Sequence, residues 1–233
     1  MTERSVNSRR TYGQPCPVAA ALDVVGERWT LLIVRDLMFG ALRFSDLREG
    51  LVGLAPNLLS DRLKMLVASE IVEQIELPPP ACRTVYALTA RGRELGPVVH
   101  ALARFGLDDW ADPDSSPPAL RLVRGALLAM MEPHRLGAPG WTARIVLPDV
   151  EVELVVAPRS SGRSGLDRLR LDERPLGSRS VDMTIQTSLG TLLALRRSTI
   201  DVSAAASSGS LVLEGSTRVL DQLALLFAWP GAS

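Results

Sequence analysis

Chemistry-bearing residues are scarce in this chain. It has two cysteines and two histidines in 233 residues, no Cys-x-x-Cys pair and no glycine-rich phosphate loop. Neither His100 nor His134 has companions at metal-ligand spacing, so no metal site, no cofactor and no enzymatic activity are expected. No uninterrupted apolar run reaches the roughly twenty residues that a membrane helix needs. The segment Met1 to Arg10 is polar, without the apolar stretch of a signal peptide, so a cytoplasmic protein without a membrane partner is expected. Charge excess is missing too: 26 Lys and Arg balance 26 Asp and Glu. Between Met1 and Asp112 thirteen basic residues meet fourteen acidic ones, so any affinity for nucleic acid must come from local placement and not from a basic domain.

What is present in the first half is a regular succession of short amphipathic segments. Pro17 suits a first helical position, and Val18, Leu22 and Val25 recur at helical spacing until Gly26. A second segment from Trp29 to Phe39 carries Leu32, Ile33 and Leu37 and ends at Gly40. Phe44 to Gly50 reads as a short third helix, Gly50 to Leu54 as a turn, and Pro56 opens a fourth helix with Leu59, Leu63 and Leu66 on one stripe. Next, Ile71 to Leu77 alternates apolar and polar residues, Pro78 to Arg83 forbids regular pairing, and Val85 to Leu88 resumes an extended run. Two strands joined by a stiff tip form a wing. Thr89 then caps a long helix from Ala90 to about Trp110, kinked at Gly96-Pro97.

Helix, turn, helix and wing together spell a DNA-reading module. On the fourth helix Asn57, Ser60, Asp61 and Lys64 face away from the leucine stripe, and Pro56 at the helix start joins the candidate DNA contacts. A major groove admits one helix and presents base edges to short polar side chains, so Asn57 and Ser60 are the candidate base contacts, with Arg62 and Lys64 on phosphates. The same face also fits the solvated side of an ordinary packed helix, and Asp61 would repel phosphate unless it caps or pairs. Arg83 is placed to reach a phosphate or the minor groove. Arg9, Arg10, Arg28, Arg43 and Arg48 complete a candidate basic surface.

The motifs Cys16-Pro17-Val18, Gly26-Glu27-Arg28-Trp29-Thr30-Leu31-Leu32-Ile33, Arg43-Phe44-Ser45-Asp46-Leu47, Leu63-Lys64-Met65-Leu66, Tyr86-Ala87-Leu88-Thr89 and Gly92 follow the order and spacing of one family. From Tyr12 to Asp109 the chain resembles the HxlR-type winged-helix regulators. The resemblance implies a homodimer gripping pseudo-palindromic double-stranded DNA, with the helices before and after the winged core in the dimer contact; Ser45, beside Arg43, is a further candidate DNA-binding residue. Ala55 departs from the family, which more often has a capping Ser there. Cys16 matches a cysteine that certain members use to sense oxidants. Its position at a helix start, near arginines, favours a reactive thiolate, although a cysteine is as readily a small, inert residue.

Residues 112–118, rich in proline and short polar side chains, read as a linker between a flexible arm (1–11) with a winged domain (12–111) and a second domain (119–233). The second domain opens with a helix from Ala119 to about Met131. Strand-like alternation follows at Trp141 to Leu147, Val150 to Val156, Arg168 to Asp172 and Val181 to Gln186, as for one sheet with a single wet face. Helices are expected at Ser188 to Leu195, Ile200 to Ala206 and Ser216 to Phe227, with a brief strand at Leu211 to Leu213. The whole is α+β. In its last fifty residues this half resembles the sterol carrier protein fold, departing from it at Arg196-Arg197-Ser198-Thr199. That resemblance implies an apolar cavity for a small hydrophobic ligand, lined by Met183, Ile185, Leu192, Leu193, Leu211 and Phe227; the same residues also suit a solid core.

The expectation is a sequence-specific, dimeric transcriptional regulator, a repressor, controlled by an apolar ligand in the second domain. Its alternatives are redox sensing through Cys16, or a lipid-carrier or enzyme-like role for the second domain.

Overall fold

The computed structural model describes residues 11–111, 113–114, 120–162, 168–172 and 180–229. The arm with Arg9 and Arg10, and most of the expected linker, lie outside the described residues. The chain divides into two compact units after Val99, inside a helix and ahead of the expected linker.

The first unit begins with α1 (Pro17–Val25), which ends where the Gly26 N–H reaches Leu22 O at 2.7 Å. α2 (Thr30–Leu37), α3 (Phe44–Gly50) and α4 (Pro56–Ala68) follow. Their apolar stripes converge: Ile33, Val34 and Leu37 of α2, Leu47 of α3 and Leu59, Leu63 and Leu66 of α4 are buried in one core. Each such leucine contributes on the order of 1.5–3 kcal/mol by leaving water. Antiparallel strands β1 (Val72–Leu77) and β2 (Arg83–Leu88) form the wing, in register from Val72 opposite Leu88 to Leu77 opposite Arg83. Leu42 adds a third edge by exchanging backbone hydrogen bonds with Tyr86.

The long helix expected from Ala90 is two helices, α5 (Ala90–Arg93) and α6 (Gly96–Phe105). Pro97 has no N–H for the Arg93 carbonyl and its ring crowds that oxygen, so the backbone breaks instead of kinking. Thr89 does cap: its hydroxyl accepts from the Gly92 N–H at 3.0 Å. Leu95 and Val99 pack on the first core, while Ala103, Leu107 and Trp110 pack on the second.

The second unit contains α7 (Leu120–Met130), β3 (Trp141–Val146), β4 (Glu151–Val156), β5 (Leu169–Asp172), β6 (Met183–Gln186), α8 (Leu189–Arg196), α9 (Val202–Ser207), β7 (Val212–Gly215) and α10 (Thr217–Leu226). The five strands form one mixed sheet in the order β5-β4-β3-β6-β7, with only β3 and β6 parallel. Trp141, Ala143 and Ile145 alternate inward on β3, while Arg144 pairs with Glu151 at 2.9 Å. Two residues expected on the wet face are buried. Glu153 is 4% exposed on an interior strand, opposite Arg144 on β3 and Asp172 on β5. Arg168 is covered as well, donating to the carbonyls of Ala157 at 2.9 Å and Gly137 at 2.8 Å. A long side chain can satisfy its fork on backbone oxygens, which alternation of residue type does not reveal.

A buried ionic cluster ties the end of α6 into this unit. Glu132, just past α7, accepts from both terminal nitrogens of Arg104 at 2.6 Å and from Arg196 of α8 at 2.9 Å. Burial alone would push its carboxyl up, but the hydrogen bonds from Arg104 and Arg196 outweigh that and bring it down to about 2. Half-buried His100 on α6 is held below the ordinary histidine value by burial and by the Arg104 charge.

Candidate nucleic-acid interface

α4 presents the face expected of a groove-reading helix. With Leu59, Leu63 and Leu66 inward, Pro56, Asn57, Asp61 and Lys64 are exposed and Ser60 is half-buried. Ala55 takes the extended N-cap conformation, yet no side chain caps the helix, so the first turn's N–H groups are left to solvent or to a ligand.

Two of the expected contacts are held by partners within the protein. The Arg62 side chain, 16% exposed, donates from one terminal nitrogen to Glu27 Oε2 at 2.9 Å and from the other to Met65 Sδ at 3.3 Å. Arg43 precedes α3, where the Asp46 carboxylate accepts its backbone N–H at 3.0 Å and its guanidinium at 2.7 Å. The hydrogen bond from the Arg43 side chain holds the Asp46 carboxyl below its ordinary value. Ser45 Oγ donates to the same carboxylate at 3.3 Å. Arg83 is exposed but opens β2 and does not lie in the tip. The first unit thus brings Pro56, Asn57, Ser60 and Lys64 together on one helix face; Arg43 and Ser45 belong to α3 and its cap, and Arg83 to the wing.

Glu27 and Asp46, which set the orientation of these arginines, were missed by sequence reasoning. Glu27 lies 35 positions from Arg62, and no local spacing announces that pairing. The three-residue offset of Arg43 and Asp46 is, by contrast, a recognisable capping distance. At the wing base, Arg91 donates to Ser69 O at 2.8 Å and Arg93 to Leu88 O at 2.7 Å. Arg28 lies over the Trp29 ring, 5.3 Å from its centroid, where Trp29 adopts a left-handed conformation ahead of α2.

Cys16 is exposed at the N-cap of α1, and Cys82 is exposed in the wing tip. In the second unit the six residues expected to line an apolar pocket belong to the packed core, each at most 2% exposed. A side chain bordering a space that water can enter would show accessible surface, so none of the six faces such a space in this conformation.

A helix-turn-helix with a stranded wing is the architecture of a winged-helix DNA-binding protein. Residues 24–115 match the HxlR-like helix-turn-helix family. An uncharacterized HTH-type transcriptional regulator of Synechocystis sp. is 32% identical over 115 residues, covering 49% of this chain and 84% of that protein. One from Bacillus subtilis is 34% identical over 99 residues, covering 42% and 91%. The HTH-type transcriptional regulator YodB of Bacillus subtilis is 35% identical over 98 residues, covering 42% and 83%. The solved structure of reduced YodB is 33% identical, covers 46% of this chain and all of that one, and gives a TM-score of 0.36. The chain belongs to the HxlR-like helix-turn-helix family of DNA-binding transcriptional regulators. The family match ends at residue 115 and does not include most of the second unit.

Proposed function

We infer that the protein is a dimeric repressor whose α4 reads the major groove of its operator, with Asn57 and Ser60 at base edges and Lys64 on the phosphate backbone. The observation that carries this reading is the sidedness of α4: three buried leucines fix the helix, and short polar residues of its N-terminal half project outward. Arg43, Arg62 and Arg83 join as phosphate contacts, the first two after exchanging an internal carboxylate for a phosphate. Self-association is supported by apolar side chains left in water on the flanking helices: Val18 and Leu22 on α1, and Val98, Leu102 and 79%-exposed Phe105 on α6. Residues 98, 102 and 105 share one helix face.

A salt series of binding to DNA upstream of the protein's own gene tests the reading. Selective binding is expected, lost in Asn57→Ala and weakened in Lys64→Ala; binding equal for operator and scrambled DNA at every salt concentration rejects it. The second unit is proposed to be a sterol-carrier-like domain that serves as the regulatory or assembly half. Control by an apolar ligand there requires Met183, Ile185, Leu192, Leu193, Leu211 and Phe227 to move apart. Saturating ligand that leaves operator affinity unchanged counts against such control.

The exposure of Cys16 at a helix start favours a second reading, in which an oxidant sets DNA affinity. Diamide treatment is then expected to alter operator binding in the wild type and to leave Cys16→Ser unaffected. An equal response in both rejects that role.

A further inference from the structure

The first unit contains a cavity of about 320 Å³ that neither the leucine core nor the expected DNA face accounts for. Its volume falls within the range of small-molecule sites, about 300–1,000 Å³. It is bordered by Tyr12, Leu22, Asp23, Glu27 and Met65, so that an aromatic ring, an aliphatic chain and a thioether share the wall with two carboxylates. Among the described residues that line it, none is basic. Asp23 holds the rim in place by accepting the Thr11 hydroxyl at 2.8 Å and the Tyr12 backbone N–H at 2.9 Å. The wall therefore combines negative charge with apolar and π surface, a chemistry suited to an organic cation with an apolar body.

Both internal partners of Arg62 belong to that wall. Glu27 accepts from one terminal nitrogen of Arg62 and Met65 from the other, and the buried Arg62 Nε has no hydrogen-bond partner among the described residues. Arg62 has five donors and these contacts satisfy it poorly, so its present position is easily given up for a phosphate. We propose that this cavity binds a small organic cation, which competes with Arg62 for Glu27 and releases the arginine of α4 toward the DNA backbone. The ligand is thereby linked to operator affinity: the cation tightens operator binding, and operator tightens cation binding by the same factor. The coupling rests on the DNA-binding reading above, whereas the cation site does not.

The test uses the full chain and phenyltrimethylammonium, with tert-butylbenzene as its neutral isostere, at matched ionic strength. Calorimetry without DNA is expected to show saturable binding of the cation, weakened about tenfold or more for the isostere, for Glu27→Gln and for Tyr12→Leu. Circular dichroism establishes that both variants are folded. In a parallel titration the cation is expected to tighten operator binding about two- to fivefold, the worth of one surface ion pair. Glu27→Gln alone is expected to give that gain and then no further response to the cation. Absent binding, or binding indifferent to the charge of the probe and to Glu27, overturns the site whatever the DNA result. Intact cation binding with weakened or unchanged operator affinity overturns the coupling; intact cation binding by a protein without any selective DNA affinity overturns the regulator reading.

Discussion

At the scale of single residues, the proposed DNA-facing side of this protein depends on which polar groups have internal partners. Asn57 and Lys64 are exposed on α4, whereas Arg43 and Arg62 are held by Asp46 and Glu27. The two kinds of residue should behave differently on mutation. Asn57→Ala is expected to cost about 1–3 kcal/mol of discrimination at one operator position, read as a flattened preference across base-substituted operators. Lys64→Ala should weaken operator and random DNA alike and lower the salt slope by about one. Helix stability offers a separate check at Ala55, whose backbone already has the N-cap conformation while no side chain caps the helix. Ala55→Ser supplies the missing acceptor and is expected to raise stability by about 0.5–2 kcal/mol, seen as a higher denaturation midpoint at unchanged m-value.

At the scale of elements, the winged unit depends on how closely α5 approaches the wing. A methyl group added at Gly92 would overlap the Ile71 carbonyl oxygen, which also accepts the Thr89 N–H at 3.1 Å. Gly92→Ala is accordingly expected to destabilise the first unit by about 1–3 kcal/mol through forced backbone shifts. Leu63→Ala, which empties a fully packed position of α4, should cost about 2–5 kcal/mol; an unaltered midpoint for either variant would contradict the packing described. The helices of this unit were legible because each is punctuated: Pro17 and Pro56 open two of them, and Gly26 and Gly40 follow the first two. The wing showed in its alternation and its prolines. Less legible were contacts made across the chain. Leu42 joins the wing by pairing with Tyr86, forty-four positions away, and Glu27 reaches Arg62; neither leaves a periodic trace. In the second unit, alternation located the strands, but it placed Glu153 and Arg168 in water. Burial of a charged residue is settled by the neighbours that surround it, not by its own strand. The six apolar residues expected to line a pocket are buried in the core of the second unit, where such residues specify a filled core as readily as a cavity.

At the scale of the whole molecule, the chain's net neutrality conceals groups whose protonation differs between folded and unfolded states, and these make its stability depend on pH on the acid side. Glu132 lies at about 2 in the folded protein against an ordinary 4.5, because Arg104 and Arg196 donate to it. A carboxylate lowered in this way contributes stability that is complete above pH 4.5 and is lost as the pH falls from 4.5 toward 2. His100 acts earlier. Its folded value lies below the ordinary 6.5, so the unfolded chain takes up a proton first and stability begins to decline as the pH drops below 6.5. Asp46 is lowered like Glu132, by the hydrogen bond from the Arg43 side chain, but the exposure of that pair leaves it little weight. Thermal melting from pH 8 to pH 3 is therefore expected to show a gentle fall below 6.5 and a steeper one below 4.5. Glu132→Gln should lower the melting temperature at pH 7, at a cost of about 3 kcal/mol for leaving two arginines without their carboxylate, and should flatten the steeper limb. His100→Gln should remove the gentle limb alone. Since Arg104 carries the end of α6 into the cluster with Glu132, the acid transition begins in the second unit, and a variant that keeps the steep limb after loss of Glu132 would place the acid-sensitive group elsewhere.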